Sequence, residues 1–498
     1  MRVFISPFLF LTIVCSTRAQ DYNIISLGAL PDGKTLNTRA IQSAIDAANK
    51  NGGGRVIIPE GIFLTGTIIL KSNVELNLTE NAMLLGSTNP DHYLKLNRWK
   101  ALIMADGQSN ISITGEGKID AQGTSLALNI NSLFYAGKMD SINYDFVHSR
   151  PKEPMRPQII EFVNCKNVLV KNVTLLNAAC WVQTYEKCTL VILDSINVYS
   201  DSYWNNDGVD IVDCRQVRIT NCNINSADDG ICLKSQYADF RCDSIYVGNC
   251  SIRSSASAIK FGTVSHGGFR NVTIMHIKVY DTYRSTIAIE CVDGGVIENI
   301  LVDDVIAVNT GNAIFLRLGD RNAKREAGVI KNITLKNIKV EVPSGRPDSS
   351  YIMQGPALTF LHNIFPSSIS GIPNHPIQNV ILENIYITYP GTGDSTLAYL
   401  PLSRIDSVPE KEKDYPEFSM FGELPAWGLY ARHVDGLTMR NVYLGSAKQD
   451  YRYAVVFDDV KNLEMKEMVI EGDNKIANFI FHRTDNTPYL NDNSVLKW

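Results

Sequence analysis

A short pattern returns along most of this chain: a turn residue, often Asn, then alternating Val and Ile, a second Asn or Asp, and alternation again. Asn167-Val168-Leu169-Val170-Lys171-Asn172-Val173-Thr174-Leu175 and Gln216-Val217-Arg218-Ile219-Thr220-Asn221-Cys222-Asn223-Ile224 are two instances. Others begin at Asn271, Asn299, Asn332 and Asn379. From Asn167 the pattern recurs near Leu190, Gln216, Ser244, Asn271 and Asn299, a spacing of 23 to 28 residues. Alternation with period two marks strands with one buried face, and Asn tolerates the left-handed backbone angles of sharp turns. Repeats of this length, made of strands without helices, specify a solenoid in which each coil buries its inner face on the next. The expected fold is all-β, a right-handed parallel β-helix.

Such a stack exposes apolar edge and unpaired backbone at its ends and needs caps. Ile41, Ala44, Ile45 and Ala48 fall at helical spacing after a candidate N-cap at Asn37 or Thr38, and Asn51-Gly52-Gly53-Gly54 ends the run. An N-terminal capping helix is therefore expected. Coils follow it at Arg55-Val56-Ile57-Ile58 and Gly66-Thr67-Ile68-Ile69-Leu70. Departures from the repeat at 136–158, 343–376 and 389–427 carry Pro, Gly and charge and read as surface loops. On a solenoid, long loops rim the binding face. Length alone would suggest about three domains, but the continuous repeat makes residues 20–498 one domain.

Residues 1–19 stand apart. Arg2 gives a positive start, Val3 to Val14 is apolar, and Thr17-Arg18-Ala19 offers small residues at a cleavage position, the pattern of a signal peptide. The run is too short for a comfortable membrane span, and no later stretch is apolar enough for one. The expectation is an exported protein, secreted or periplasmic, with no membrane span. Cys15 leaves a lipoprotein as the lesser alternative, since Val14 stands where a small residue is usual. Cleavage removes Arg2 and Arg18 and no acid, taking 47 basic residues to 45 against 52 acidic ones, a net charge of −7. With no basic tract, nucleic acid is not an expected partner, and the protein is expected to act as a monomer. Nine cysteines remain, without a Cys-x-x-Cys pair, which argues against a zinc ribbon or redox site. Cys165, Cys188, Cys214 and Cys242 recur at equivalent points of the repeat, as stacked interior thiols would. One or two disulfides also suit an exported protein.

Two acidic clusters lie about one repeat apart: Trp204-Asn205-Asn206-Asp207-Gly208-Val209-Asp210 and Ser226-Ala227-Asp228-Asp229-Gly230-Ile231. Strands of neighbouring coils stack roughly 4.8 Å apart, so Asp207, Asp228 and Asp229 would share one patch of surface. Carboxylates that close push their pKa values apart, so that an acid and a base coexist at one pH, as glycosidic hydrolysis requires. Asp is also common in turns, and on spacing alone both readings stand. Trp204 and Asn205 beside the cluster are what a sugar platform needs.

The opening Tyr22-Asn23-Ile24 to Gly28-Ala29, then Asp32-Gly33-Lys34-Thr35, Ala40-Ile41-Gln42 and Gly61-Ile62-Phe63-Leu64-Thr65-Gly66, resembles the start of pectin-degrading β-helix enzymes. Asn205-Asn206-Asp207 resembles the Asn-Thr-Asp motif of glycoside hydrolase family 28, the polygalacturonase family, and Asp228-Asp229-Gly230 resembles its Asp-Asp motif. The resemblance implies an inverting hydrolase without metal or other cofactor, acting on a polysaccharide or oligosaccharide. In it Asp228 would be the general acid, while Asp207 and Asp229 would hold and activate water. Inversion needs acid and base roughly 6.5–9.5 Å apart.

The departures from the family are equally specific. Where it carries Gly-His-Gly this chain reads Ser255-Ala256-Ser257-Ala258-Ile259-Lys260-Phe261-Gly262-Thr263, with Ser257 or a neighbour replacing the histidine. Where it carries Arg-Ile-Lys, which holds a galacturonate carboxylate, this chain reads Ala288-Ile289-Glu290. Ala and Glu there remove an attraction and add a repulsion towards an acidic sugar, so plain polygalacturonate is not expected. A mixed pectic chain such as rhamnogalacturonan, or a neutral sugar beside the cleaved bond, fits better. Lys234, Lys260, Arg284 and Arg317 are candidate substitute cations by repeat counting, although each singly reads first as a solvated surface charge. Lys260 falls within the displaced motif, and His266 could stand in for the lost histidine, though it first reads as a turn residue. Rival readings are a β-helix polysaccharide lyase using Lys234 or Lys260 as base, often with calcium, and a non-catalytic glycan-binding solenoid.

Overall fold

The computed structural model describes residues 20–322, 326–359, 361–391, 402–472 and 478–485, and the backbone of 495–497; the proposed signal peptide lies outside them. The repeat folds as its periodicity demands, into a β-helix whose strands pair almost entirely in parallel, coil upon coil. Leu94–Lys95 with Lys100–Asp106, and Tyr144–Asp145 with Arg150–Pro151, run antiparallel. One interior column passes through Ile111, Val168, Val191, Val217, Ile245, Val272, Ile300, Ile333, Val380, Leu437 and Leu463, each paired with the next. All are buried, because each β-branched or leucine side chain lies on its neighbours in the stack.

The repeat's Asn residues make the corners. Asn271, Asn299, Asn332 and Asn379 take φ of 53–58°. The last three also donate their side-chain amides to the Asn of the coil before, Asn299 to Asn271, Asn332 to Asn299 and Asn379 to Asn332, at 3.2–3.3 Å. The interior thiols stack likewise. The Cys165 and Cys188 backbone N–H groups point at the sulfurs of Cys188 and Cys214, at 3.4 and 3.3 Å, and all nine described cysteines are free and buried.

Two α-helices occur among the described residues, neither long and apolar enough to cross a membrane. Helix α1, Thr38–Lys50, buries Ile41, Ala44, Ile45 and Ala48 against the first strands. Its N-cap is Asn37, but the Asn37 side chain makes no capping bond and instead ties to Leu30 and Thr35. Helix α2, Gly123–Tyr135, was not expected; Leu126, Ala127 and Ile130 are buried and anchor it.

The long departures are not simply surface loops. Residues 367–370 form a strand between Val296–Leu318 and Ala426–Ser446, inside a stretch that reads as loop. Phe418 and Phe421, from another such stretch, join Ala288, Phe315, Tyr430 and Val456 in a second hydrophobic cluster. That cluster lies outside the solenoid's interior, on the face where Ala288 and Phe315 follow Lys260 in register.

Thiols this deeply buried are out of reach of reagents. In the native protein they are expected to resist alkylation until unfolding, and reducing agent should leave the thermal midpoint unchanged. Mass-spectrometric thiol counting and thermal melts with and without reductant check both.

Candidate active site

The site grows from one rung of the ladder repeated. Val209 pairs with Ile231, Ile231 with Ile259 and Ile259 with Ile287, all facing the interior. Two residues before these pairs, the chain places Asp207, Asp229, Ser257 and Ser285 one above another. Backbone hydrogen bonds tie that column together: Gly208 donates to the Asp229 carbonyl at 2.9 Å, Gly230 to Ser257 at 2.8 Å and Ala258 to Ser285 at 3.0 Å. The small turn residues are required, since a Cβ on Gly208 would lie 2.7 Å from the Gly230 carbonyl oxygen.

Asp207 and Asp229 thus come together from consecutive coils. Carboxylate oxygens of the two, with the Cys232 sulfur, lie within 4.8 Å of one another. Asp228 precedes Asp229 and accepts its backbone N–H at 2.9 Å, while Asp229 accepts from Ser257 N at 3.0 Å. The Ser226 and Ser254 hydroxyls pin the Asp228 carbonyl at 2.9 and 2.6 Å. Burial, then the neighbouring Asp229, pushes the Asp228 carboxyl up, with Arg284 and Lys234 pulling the other way. Burial raises Asp207 further, against the pull of Lys234.

Lys234 organises this cluster. Its ammonium donates to Asp207 Oδ2 at 2.9 Å and to Asp210, and stands 3.1 Å from the Cys232 sulfur. Burial opposes its charge, but Asp207 and Asp210 more than offset that and keep it protonated. Burial holds Asp210 at about 6 despite the same ammonium. Asp207, Asp229 and Cys232 form the one potential metal-ligand group among the described residues, yet Lys234 already fills the position of a cation there, and burial keeps the Cys232 thiol protonated.

The next coils hold a second pair. Lys260 and Glu290 meet at 2.9 Å with each side chain 1% exposed, and Thr263 donates to Glu290 at 3.2 Å. Burial places the Glu290 carboxyl at about 7, and Glu290 in turn keeps Lys260 charged against its burial. Arg317 is wholly buried, donating to Ser370, the Gly371 carbonyl and the Glu410 carbonyl. The surface-charge reading of Lys234, Lys260, Arg284 and Arg317 therefore does not hold. These side chains are 12%, 1%, 18% and 0% exposed, because the rim loops and their own carboxylate partners cover them.

Other sequence candidates fall elsewhere. Asn205 accepts at 2.8 Å from the buried Arg156, which also holds the Trp204 carbonyl, so Asn205 braces the turn. Trp204 is 39% exposed and carries the Arg150 guanidinium 4.8 Å over its ring. His266 sets Nδ1 3.1 Å from the Asp293 carbonyl. Ser257, fully buried, occupies the rung after Asp229.

Sequence reasoning missed Trp181. It lies on the rung before Asp207, with the Lys234 ammonium 4.2 Å over its ring and Trp99 edge-on at 4.6 Å. Its separation from Asp207 falls within the repeat spacing, and that was the available signal.

Comparison with known proteins places this arrangement. The chain is 23% identical over 406 residues to a probable polygalacturonase of Vitis vinifera, covering 75% of each chain. Its fold resembles the hyperthermoactive exopolygalacturonase of Thermotoga maritima, with a TM-score of 0.59 at 21% identity over 91% of this chain and 92% of that one. It also resembles PfbA, a surface adhesin of Streptococcus pneumoniae, with a TM-score of 0.52 at 16% identity over 95% and 96%. The sequence model of glycosyl hydrolases family 28 matches residues 50–353, the span that carries all three aspartates. The chain belongs to that family and is a glycosidase.

Proposed function

We propose that this protein is an exported, inverting glycoside hydrolase of pectic glycans. One observation carries the reading: Asp207 and Asp229 face each other from stacked coils beside a third carboxyl, Asp228, whose hold on its proton burial strengthens. A protonated Asp228 can deliver its proton to the leaving oxygen, while the facing pair accepts hydrogen bonds from an attacking water. The polygalacturonase relatives support pectin as the polymer. Lys260 and Glu290 neutralise each other where a galacturonate carboxylate would need free positive charge, which supports a neutral sugar at that place and so a mixed chain.

The second hydrophobic cluster roofs the site face from Ala288 onward, two coils past Asp229 and about 10 Å along the stack. A floor that ends so soon supports attack at a chain end. The same reading takes residues 1–19 as a signal peptide, 20–498 as one monomeric right-handed domain, and α1 as its N-terminal cap. The lyase alternative is disfavoured chemically, because both candidate bases are ammoniums held by carboxylates: Lys234 by Asp207 and Asp210, Lys260 by Glu290. The adhesin-like alternative gives no role to three carboxyls crowded together under burial.

Three outcomes are expected. Pectic oligosaccharides should yield new reducing ends without unsaturated-product absorbance, and early product profiles should show only short fragments. Unsaturated products would overturn the hydrolase reading, and a ladder of mid-length fragments would overturn the chain-end mode. Asp228→Asn should lower kcat about 10²–10⁴-fold, with the fresh anomer of the wild-type product inverted by proton NMR. Lys234→Met should lower kcat/KM by about 10²-fold at its former optimum. Without the ammonium, Asp207 and Asp210 are harder to ionise, so the acid limb of the pH–rate profile should move to higher pH. An unmoved limb would count against a role for Asp207 on the water.

A further inference from the structure

Among the cations near the site, most have their donors matched. Lys234 serves Asp207 and Asp210, and Lys260 serves Glu290. Arg317 leaves its Nε without a partner among the described residues but is wholly buried and serves Ser370, Gly371 and Glu410, and Arg321 makes a bidentate pair with Asp293 at 2.9 and 2.7 Å. Arg284 differs. Counting back from Val209, Ile231, Ile259 and Ile287, the residues Asn206, Asp228, Ala256 and Arg284 occupy successive rungs, and Arg284 N donates to the Ala256 carbonyl at 2.8 Å. Arg284 therefore sits two coils past Asp228, about 10 Å along the stack.

Its guanidinium is incompletely partnered. Nε is buried and has no hydrogen-bond partner among the described residues. The ion pair with Glu417, from the rim loop, is 3.5 Å long, against roughly 2.7–2.9 Å for a well-made pair. Both side chains are partly open, 18% and 29% exposed, so a ligand can reach them. Tyr415, Glu417, Asp228 and Asp229 keep Arg284 charged against its burial. A guanidinium presents a planar fork that suits two carboxylate oxygens at once, and here one limb of the fork is idle and the other is loosely held.

We infer that Arg284 is a specificity-determining residue that grips the carboxylate of an acidic sugar, and that Glu417 occupies the guanidinium until such a sugar displaces it. The inference rests on the pectic hydrolase reading and narrows it. A chain with an acidic sugar at Arg284 and a neutral one over the Lys260–Glu290 pair meets both features. It also relocates the carboxylate grip from the Ala288 and Glu290 positions, which cannot supply it.

Binding separates this from catalysis. Calorimetric titration of the full-length Asp228→Asn protein with D-galacturonate and with D-galactose compares two sugars that differ at the carboxylate. Galacturonate is expected to bind at least 10-fold more tightly. Arg284→Gln on that background should abolish the difference, Arg284→Lys should retain part of it, and Glu417→Gln should tighten galacturonate about threefold with galactose unchanged. Equal affinities for the two sugars, or no galacturonate binding, would overturn the proposal. So would an Arg284→Gln variant that keeps the contrast while shifting the pH profile of hydrolysis, since Arg284 would then act only on the Asp228 charge. A protein that binds galacturonate through Arg284 yet cleaves no pectic oligosaccharide would instead overturn the hydrolase reading.

Discussion

In-register parallel pairing between successive coils is the constraint on which the rest of the molecule depends. It turns a separation of 22 residues, Asp207 to Asp229, into neighbouring rungs of one column. The same pairing stacks Val on Ile through the interior, Asn on Asn at the corners and thiol on thiol within. None of these columns can slip alone, because a shift of one residue would turn every buried side chain to solvent. The precision of the carboxylate cluster is thus inherited from the hydrophobic register beneath it.

Electrostatics on that scaffold follows from charge crowding under partial burial. Burial holds the protons of Asp207, Asp210 and Asp228 more tightly than on ordinary carboxylates, against the pull of the one close ammonium, Lys234. A glycosidase needs that inequality among like groups. Over the next two coils Lys260 and Glu290 cancel each other, while Arg284, on the same coil as Glu290, stays half-engaged.

The repeat, the helix at Ile41 to Ala48, the Asn corners, the stacked thiols and the convergence of three aspartates were legible in the sequence, because each depends on local period or on counting rungs. The burial of Lys260 and Arg317 was not. A single Lys or Arg in a strand looks solvated until its partner is known, and the partners Glu290 and the Glu410 carbonyl come from another coil and a rim loop. Asn205 shows the reverse error: its amide looked available for a sugar, but Arg156, far away in sequence, already holds it. Helix α2 was missed, and the strand Ser367–Ser370, three serines and one isoleucine, was hidden inside an irregular stretch.

By itself the sequence determined a β-helix, its register and the identity of the acidic cluster, since periodic burial leaves one way to stack such coils. Tertiary structure alone decided which charges are free. Whether a cation can meet substrate depends on which loop folds over it and which carboxylate reaches it. The 389–427 stretch, read from sequence as a surface loop, packs Phe418 and Phe421 on the site face and brings Glu417 to Arg284. Those contacts join positions that no repeat relates, so no period could reveal them.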